Sequence, residues 1–212
     1  MTVALHPHKR KLSRIDISAI IGLFVILGIL RADLVLLAAL PASIIYIHAT
    51  KRKDLLSHLI LASLLASIWM IIARDFYSYN KPFLAPLGIN LFPLLAWTLG
   101  LLGAYVIYSH VEHHFLHWTF IGRLAAYCSI YWPLLIAAET TGYHLLGIRN
   151  DLLAKHPGLP FCDCLHAPPW MQTSYFAIGI IYFLAAHFIE LKNPHHQRDE
   201  QSPQDSPEHH AC

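Results

Sequence analysis

Apolar residues run in long blocks along this chain, and short charged or proline-rich clusters break them. Ile17 to Leu30 is apolar, Arg31-Ala32-Asp33 interrupts it, and Leu34 to Ala49 is apolar again before Lys51-Arg52-Lys53. Leu55 to Ala73 is an unbroken run closed by Arg74-Asp75. Gly88 to Tyr108, Leu124 to Gly142 and Thr173 to Leu191 complete the series. The period of neither an amphipathic helix nor a strand governs these blocks; they are apolar on all sides over spanning length, which predicts transmembrane helices. Asn90, Pro93 and Pro133 lie inside them, which a membrane helix tolerates when its neighbours satisfy the freed backbone groups.

The first two blocks are short. At 1.5 Å per residue, Ile17 to Leu30 covers roughly 21 Å against a hydrocarbon core of about 30 Å. Residues 17–49 therefore read as two short spans, a re-entrant hairpin or one long tilted helix. Charge bears on the choice. Lys9, Arg10, Lys11 and Arg14 precede the block and Lys51-Arg52-Lys53 follows it. Basic clusters stay cytoplasmic, and two of them on one side require an even number of crossings between them. The expectation is an all-α polytopic bundle of about six spans over residues 17–191. A basic cytoplasmic N-terminus (1–16) precedes it, and a disordered polar tail (192–212) of Pro, His, Gln, Asp and Glu follows. The N-terminus has the basic and apolar regions of a signal peptide without a convincing cleavage site, so it reads as an uncleaved first segment. With the N-terminus inside, ten Lys and Arg fall inside and five outside. Both termini are then cytoplasmic, in a cell (inner) membrane. Tyr46, Trp69, Tyr77, Tyr108, Trp118 and Trp170 stand near span ends, as an interfacial aromatic belt would.

Composition agrees with the blocks. The 212 residues are 56% hydrophobic and only 13% charged, against about 25% charged in soluble domains. Lipid must cover much of the surface, so membrane lipid is an expected partner. A net charge of +2 gives no reason to expect nucleic acid. Four cysteines make no disulfide framework; Cys128 lies in an apolar run and Cys212 ends the tail.

Glu139 is the foremost candidate for chemistry. A carboxylate in hydrocarbon is costly and marks a site facing the bundle interior. Dry surroundings favour the neutral acid, which can then serve as a general acid. An ion pair with Arg31, Arg74 or Arg149 on the same side is the structural alternative. Asp75 is a second carboxylate near the same face, and Tyr77, Asn80, Trp132, His144 and Trp170 are candidate pocket residues. The loop from Tyr143 to Gln172 is rich in Gly, Pro, aromatic, Cys and His residues, and such content predicts a segment folded over the mouth of the bundle.

Two clusters could ligate metal. His110, His113 and His114 match H-x-x-H-H, a box of membrane di-iron desaturases and hydroxylases, with His117 close by and His48, His58 and His187 expected at the same face. That family uses several such boxes and this chain has one, so no di-iron centre is expected. Cys162, Cys164 and His166 form C-x-C-x-H, a soft set for copper or zinc, for which loop packing or a redox-sensitive thiol pair is the alternative. No cofactor follows from these residues.

The order Glu139, Gly142, Gly158-Leu159-Pro160 and Trp170 resembles the membrane carotenoid-biosynthesis families, the hydratases and cyclases of long isoprenoid chains. The likeness covers roughly residues 74–180. It departs at Thr140, where the family has Pro, and at Tyr143 and His144, where it has an aromatic pair. The resemblance implies protonation of an alkene by a buried acid, with aromatic faces sheltering the cation. A lipophilic small molecule is then the substrate. A non-enzymatic assembly or binding protein, a small transporter subunit and a His-box lipid oxidoreductase are the other functions open to the sequence.

Overall fold

The computed structural model describes residues 7–194, with side chains described from Ser13 onward. The tail expected beyond Pro194, residues 1–6 and the side chains of Lys9, Arg10 and Lys11 lie outside the described residues. Among those described, six long helices form the architecture: α1 (Pro7–Ile29), α2 (Ala32–Ala49), α3 (Asp54–Ala73), α4 (Leu91–Val111), α5 (Phe120–Thr140) and α6 (Pro169–Phe188). Helices α2 to α6 are long and apolar enough to cross a membrane. The chain is an all-α polytopic membrane protein.

Residues 17–49 make two helices, not one. The chain breaks at Leu30-Arg31, where Arg31 is extended. Arg31 pairs with Asp33 at 2.9 Å, and its guanidinium also donates to the Pro82 carbonyl. The Asp33 carboxylate, fully buried, accepts from the Leu84 backbone N–H. The interruption is thus a turn pinned to the loop that follows α3. At the other end, Asp16 on α1 meets Tyr46 near the end of α2, so α1 and α2 are antiparallel. This is the hairpin that two basic clusters on one side require.

The helices alternate in direction. One face of the bundle gathers Arg14, Lys51, Arg52, Lys53, Arg123 and Lys192 and is called the basic face here. The opposite face carries residues 74–90 and 141–168 and is called the loop face. Two helices begin with side-chain caps: Asn90 accepts from the Phe92 N–H, and Thr119 from the Gly122 N–H. The His-rich stretch expected as a connection is largely helical. α4 continues to Val111, a 3-10 turn covers Glu112–Phe115, and α5 starts at Phe120.

α4 is central, packing on α1, α2, α3 and α5, while α6 closes the bundle against α3 and α5. The core between α3, α4, α5 and α6 is unusually phenolic. Tyr108, Tyr127 and Tyr182 are fully buried, Tyr127 stacks on Tyr182, and Tyr105 stacks on His58. His58 Nδ1 lies 3.0 Å from the Tyr182 hydroxyl. The aromatic belt therefore needs correction: Trp69 and Tyr108 are core residues shielded from headgroups, whereas Trp118 and Trp170 are exposed. Periodicity could not separate these cases, because the spans are apolar on every side.

Gly179 on α6 faces the Tyr131 ring so closely that an added Cβ would overlap it. That ring is itself fixed, stacked on Tyr127 and with its hydroxyl donating to the Tyr175 carbonyl at 2.6 Å. Gly179→Ala should therefore destabilise the bundle by about 1–3 kcal/mol, the usual cost of overpacking. The thermal midpoint of the detergent-solubilised protein measures this; an unchanged midpoint would mean that the ring moves aside freely.

Candidate functional site

Tyr131, Leu135 and Glu139 lie at i, i+4 and i+8 on α5 and so project from one side of the helix. They line a cavity of about 260 Å³ bounded by α1, α4, α5 and the loop face. Ile20, Leu23, Phe24 and Leu27 of α1 form an apolar wall. Along α4 the lining runs from Phe92 to Ile107, about 22 Å of helix axis, so the cavity is long and narrow. α1 and α5 border it without packing extensively on one another.

The polar residues gather at one end. Glu139 stands there with Tyr77, Tyr79, Tyr143, Asn150, His166 and Tyr175. Immediately beyond it, α5 loosens into a π-helical turn at Thr141–Leu145, a distortion that recurs at functional sites. Glu139 makes no hydrogen bond or ion pair among the described residues. The three arginines named as its candidate ion-pair partners are engaged elsewhere: Arg31 with Asp33, Arg74 with Asp75, and Arg149 over the Tyr143 ring. It lines the cavity together with Tyr77 and Tyr79.

Tyr77 is the best-anchored side chain of the site. Its hydroxyl oxygen accepts from the Trp69 indole at 2.8 Å and from the Trp97 indole at 3.2 Å, and its O–H points to the Tyr175 hydroxyl at 3.4 Å. Burial pushes the Tyr77 phenol up to about 12, so it holds its proton across the physiological range. Trp69, Trp97 and Tyr175 pack edge to face or tilted around it. The result is a rigid aromatic wall beside the acid.

The loop face caps this end. Asn80 N donates to the Arg149 carbonyl and Asp151 N to the Ser78 carbonyl. Asn80 also donates to the Gly147 carbonyl and accepts from Arg149 N. Asn150 reaches the Phe76 carbonyl at 2.7 Å. Segments 76–81 and 146–151 are thus stitched together, and Leu153, Leu165 and His166 of the long loop complete the lining. The loop does fold back over the bundle.

Of the residues selected from sequence, the structure brings Glu139 and Tyr77 to the cavity. Asn80 and His144 lie in the cap, where His144 Nε2 contacts the Cys162 and Asp163 carbonyls. Three residues are placed elsewhere. Asp75 is 85% exposed and pairs with Arg74. Trp132 follows Tyr131 by one residue, about 100° round the helix; it faces outward and donates its indole N–H to the Phe176 carbonyl. Trp170 packs on Phe76 and Trp69 at the outer edge of the aromatic wall. Residues that sequence reasoning missed include Trp97, Tyr131 and Tyr175. The i, i+4, i+8 relation of Tyr131 to Glu139 was legible; Trp97 and Tyr175 reach the site only through tertiary packing.

The histidines do not converge. His110 Nε2 lies 2.6 Å from an Asp16 oxygen, His113 and His114 pack ring to ring, and His117 is exposed. His58 is in the core, while His48 and His187 are exposed. Cys162 and Cys164 are joined by a disulfide, and His166 lies against backbone carbonyls. Among the described residues no group of three or more His, Cys, Asp or Glu is placed to hold a metal ion.

Comparison of the chain with family models, with curated proteins and with solved structures finds no match.

Proposed function

We propose that this membrane protein takes an elongated, lipophilic ligand of isoprenoid type from the bilayer, and that Glu139 acts on it as a general acid. One observation carries this reading: a carboxyl group with no partner among the described residues stands at the polar end of a long apolar cavity, beside a wall of Trp and Tyr rings. An acid within a membrane span is costly without a partner, and structural use would call for a neutralising cation. The apolar wall of Ile20, Leu23, Phe24 and Leu27 suits a lipophilic ligand. The resemblance of Glu139, Gly142 and Gly158-Leu159-Pro160 to isoprenoid hydratases and cyclases points to the same chemistry.

In that reaction the Glu139 O–H delivers its proton to one carbon of an alkene. The π bond breaks, a C–H bond forms, and the cation is left at the neighbouring carbon. The faces of Trp97, Tyr131 and Tyr175 attract that cation, and the Glu139 carboxylate is its counter-ion. Loss of a neighbouring proton back to the carboxylate yields an isomerised or cyclised product; capture by water yields an alcohol. Organic extraction of purified protein followed by mass spectrometry tests the reading. An isoprenoid held by the wild type and displaced by Phe24→Trp, which fills the apolar wall, is expected. Bulk phospholipid alone in both would count against it.

We also propose that the basic face is cytoplasmic. The excess of Lys and Arg supports this, as does a disulfide on the opposite face, since disulfides persist outside the reducing cytosol. Reporter fusions at Leu12, Lys53 and Pro194 should all report cytoplasm. An extracytoplasmic signal at Lys53 would contradict the orientation.

A further inference from the structure

We propose that Cys162 and Cys164 form a second reactive site, a dithiol–disulfide couple on the loop face that exchanges with cysteines of a polypeptide substrate. The two residues are bonded to one another with only Asp163 between them. A cross-link stabilises a fold by closing a loop, and the effect shrinks with loop length. This one closes the shortest of loops and ties no two elements together, so it makes a poor staple.

Its surroundings suit exchange. Cys164 is fully buried, whereas Cys162 is partly exposed and follows Phe161, which is 72% exposed. An incoming thiolate can therefore reach one sulfur and not the other, and Phe161 offers an apolar seat for a peptide. Asp163 and Leu165, flanking Cys164, both have left-handed backbones, with φ of 44° and 56°. Aspartate tolerates that region but leucine does not adopt it readily, and strain of the kind at Leu165 clusters at working sites. Gly158 packs so tightly on the Asp163–Cys164 backbone that a Cβ would come within 2.9 Å of it. Two imidazoles hold the same segment: His144 Nε2 lies 3.0 Å from the Cys162 carbonyl, and His166 Nε2 lies 3.0 Å from that of Asp163. The other nitrogen of His166 faces the His156 carbonyl at 2.8 Å.

The exchange is balanced in both directions. From the reduced couple, the Cys162 thiolate attacks one sulfur of a substrate disulfide, that S–S bond breaks, and a mixed disulfide forms as one substrate thiolate leaves. The Cys164 thiolate then attacks the Cys162 sulfur, expels the second substrate thiolate and closes Cys162–Cys164. Two electrons pass to the substrate, and the two protons of the dithiol end on the substrate thiols. Reversal oxidises a substrate dithiol.

The full chain in detergent is treated with millimolar dithiothreitol, quenched, alkylated and mapped by mass spectrometry, which separates Cys162 and Cys164 from Cys128 and Cys212. Reduction of the pair without loss of the folded state is expected. Resistance until the protein unfolds would overturn the proposal. Reduced variants are then mixed with a synthetic peptide containing one disulfide. Cys164→Ser should trap a mixed disulfide through Cys162 at least tenfold faster than Cys162→Ser traps one through Cys164. Equal trapping, or none, would overturn the assignment of attacking and resolving thiols and the site with it.

Discussion

Glu139→Gln should leave the bundle folded and lower turnover of the cavity's ligand by roughly 10²–10⁴-fold, the usual worth of a positioned acid. Glutamine keeps the shape of the side chain and its capacity to accept a hydrogen bond, but it has no acidic proton to deliver. The fold has little reason to suffer, because Glu139 bonds to no described residue and Arg31, Arg74 and Arg149 have other partners. Removing an acid from within a membrane span relieves a cost and should hold or raise the thermal midpoint. The decisive quantity is product formed per folded molecule in membranes, with the ligand identified by extraction as substrate. Unchanged product would eliminate the acid role; a large fall in folded protein would show that the carboxyl has a structural partner after all.

The largest effect on stability should come from Asp16→Asn, about 3–5 kcal/mol, the cost of leaving a buried charge without its counter-ion. Asp16 lies just before the apolar run of α1, and its carboxylate takes four hydrogen bonds. Arg52 donates through both terminal nitrogens at 2.8 and 2.9 Å, Tyr46 at 2.6 Å and His110 at 2.6 Å. The side chains of both Asp16 and Arg52 are almost completely buried. Asparagine would keep the size and lose the charge, stranding the Arg52 guanidinium. Burial by itself would raise the Asp16 carboxyl, but the bonds from His110, Arg52 and Tyr46 outweigh it and hold the group below the usual aspartate range. A depressed folded value contributes stability above the unfolded pKa of about 3.9 that is lost as pH falls below it. The wild type should therefore lose thermal stability on acidification below about pH 4, and Asp16→Asn should show little of that dependence. Matching pH profiles would mean that the cluster is not what titrates.

The spans were legible because hydrocarbon thickness and charge placement act on local sequence. Leu55 to Ala73 was read almost to the residue as α3. The break at Arg31 was visible and the flanking basic clusters pointed to a hairpin, but the contacts that fix it were not, because Asp33 reaches Leu84 and Asp16 reaches Arg52 across 51 and 36 residues. The candidate site divides in the same way. Glu139 stood out because an acid in an apolar run is expensive wherever it faces. Asp75, two residues past a span end, carried no such information, and it is exposed. Trp132 and Tyr131 are adjacent and equally aromatic, and only the packing of α5 decides which enters the cavity. His110 attracted attention as part of a metal-like spacing, yet its observed partner is an aspartate 94 residues earlier.

That last separation has a consequence for how the chain is made. Ribosomes extend polypeptides at about 5–20 residues per second. Arg52 follows Asp16 by 36 residues, so about 2–7 s pass at that speed before the guanidinium is synthesised. His110, 94 residues on, takes about 5–19 s. During biogenesis the α1–α2 hairpin can thus neutralise its own acid before any later helix exists and enter the bilayer as a self-contained unit. The imidazole on α4 arrives afterwards and fastens that unit to the rest of the bundle, so the order of translation and the order of assembly run the same way.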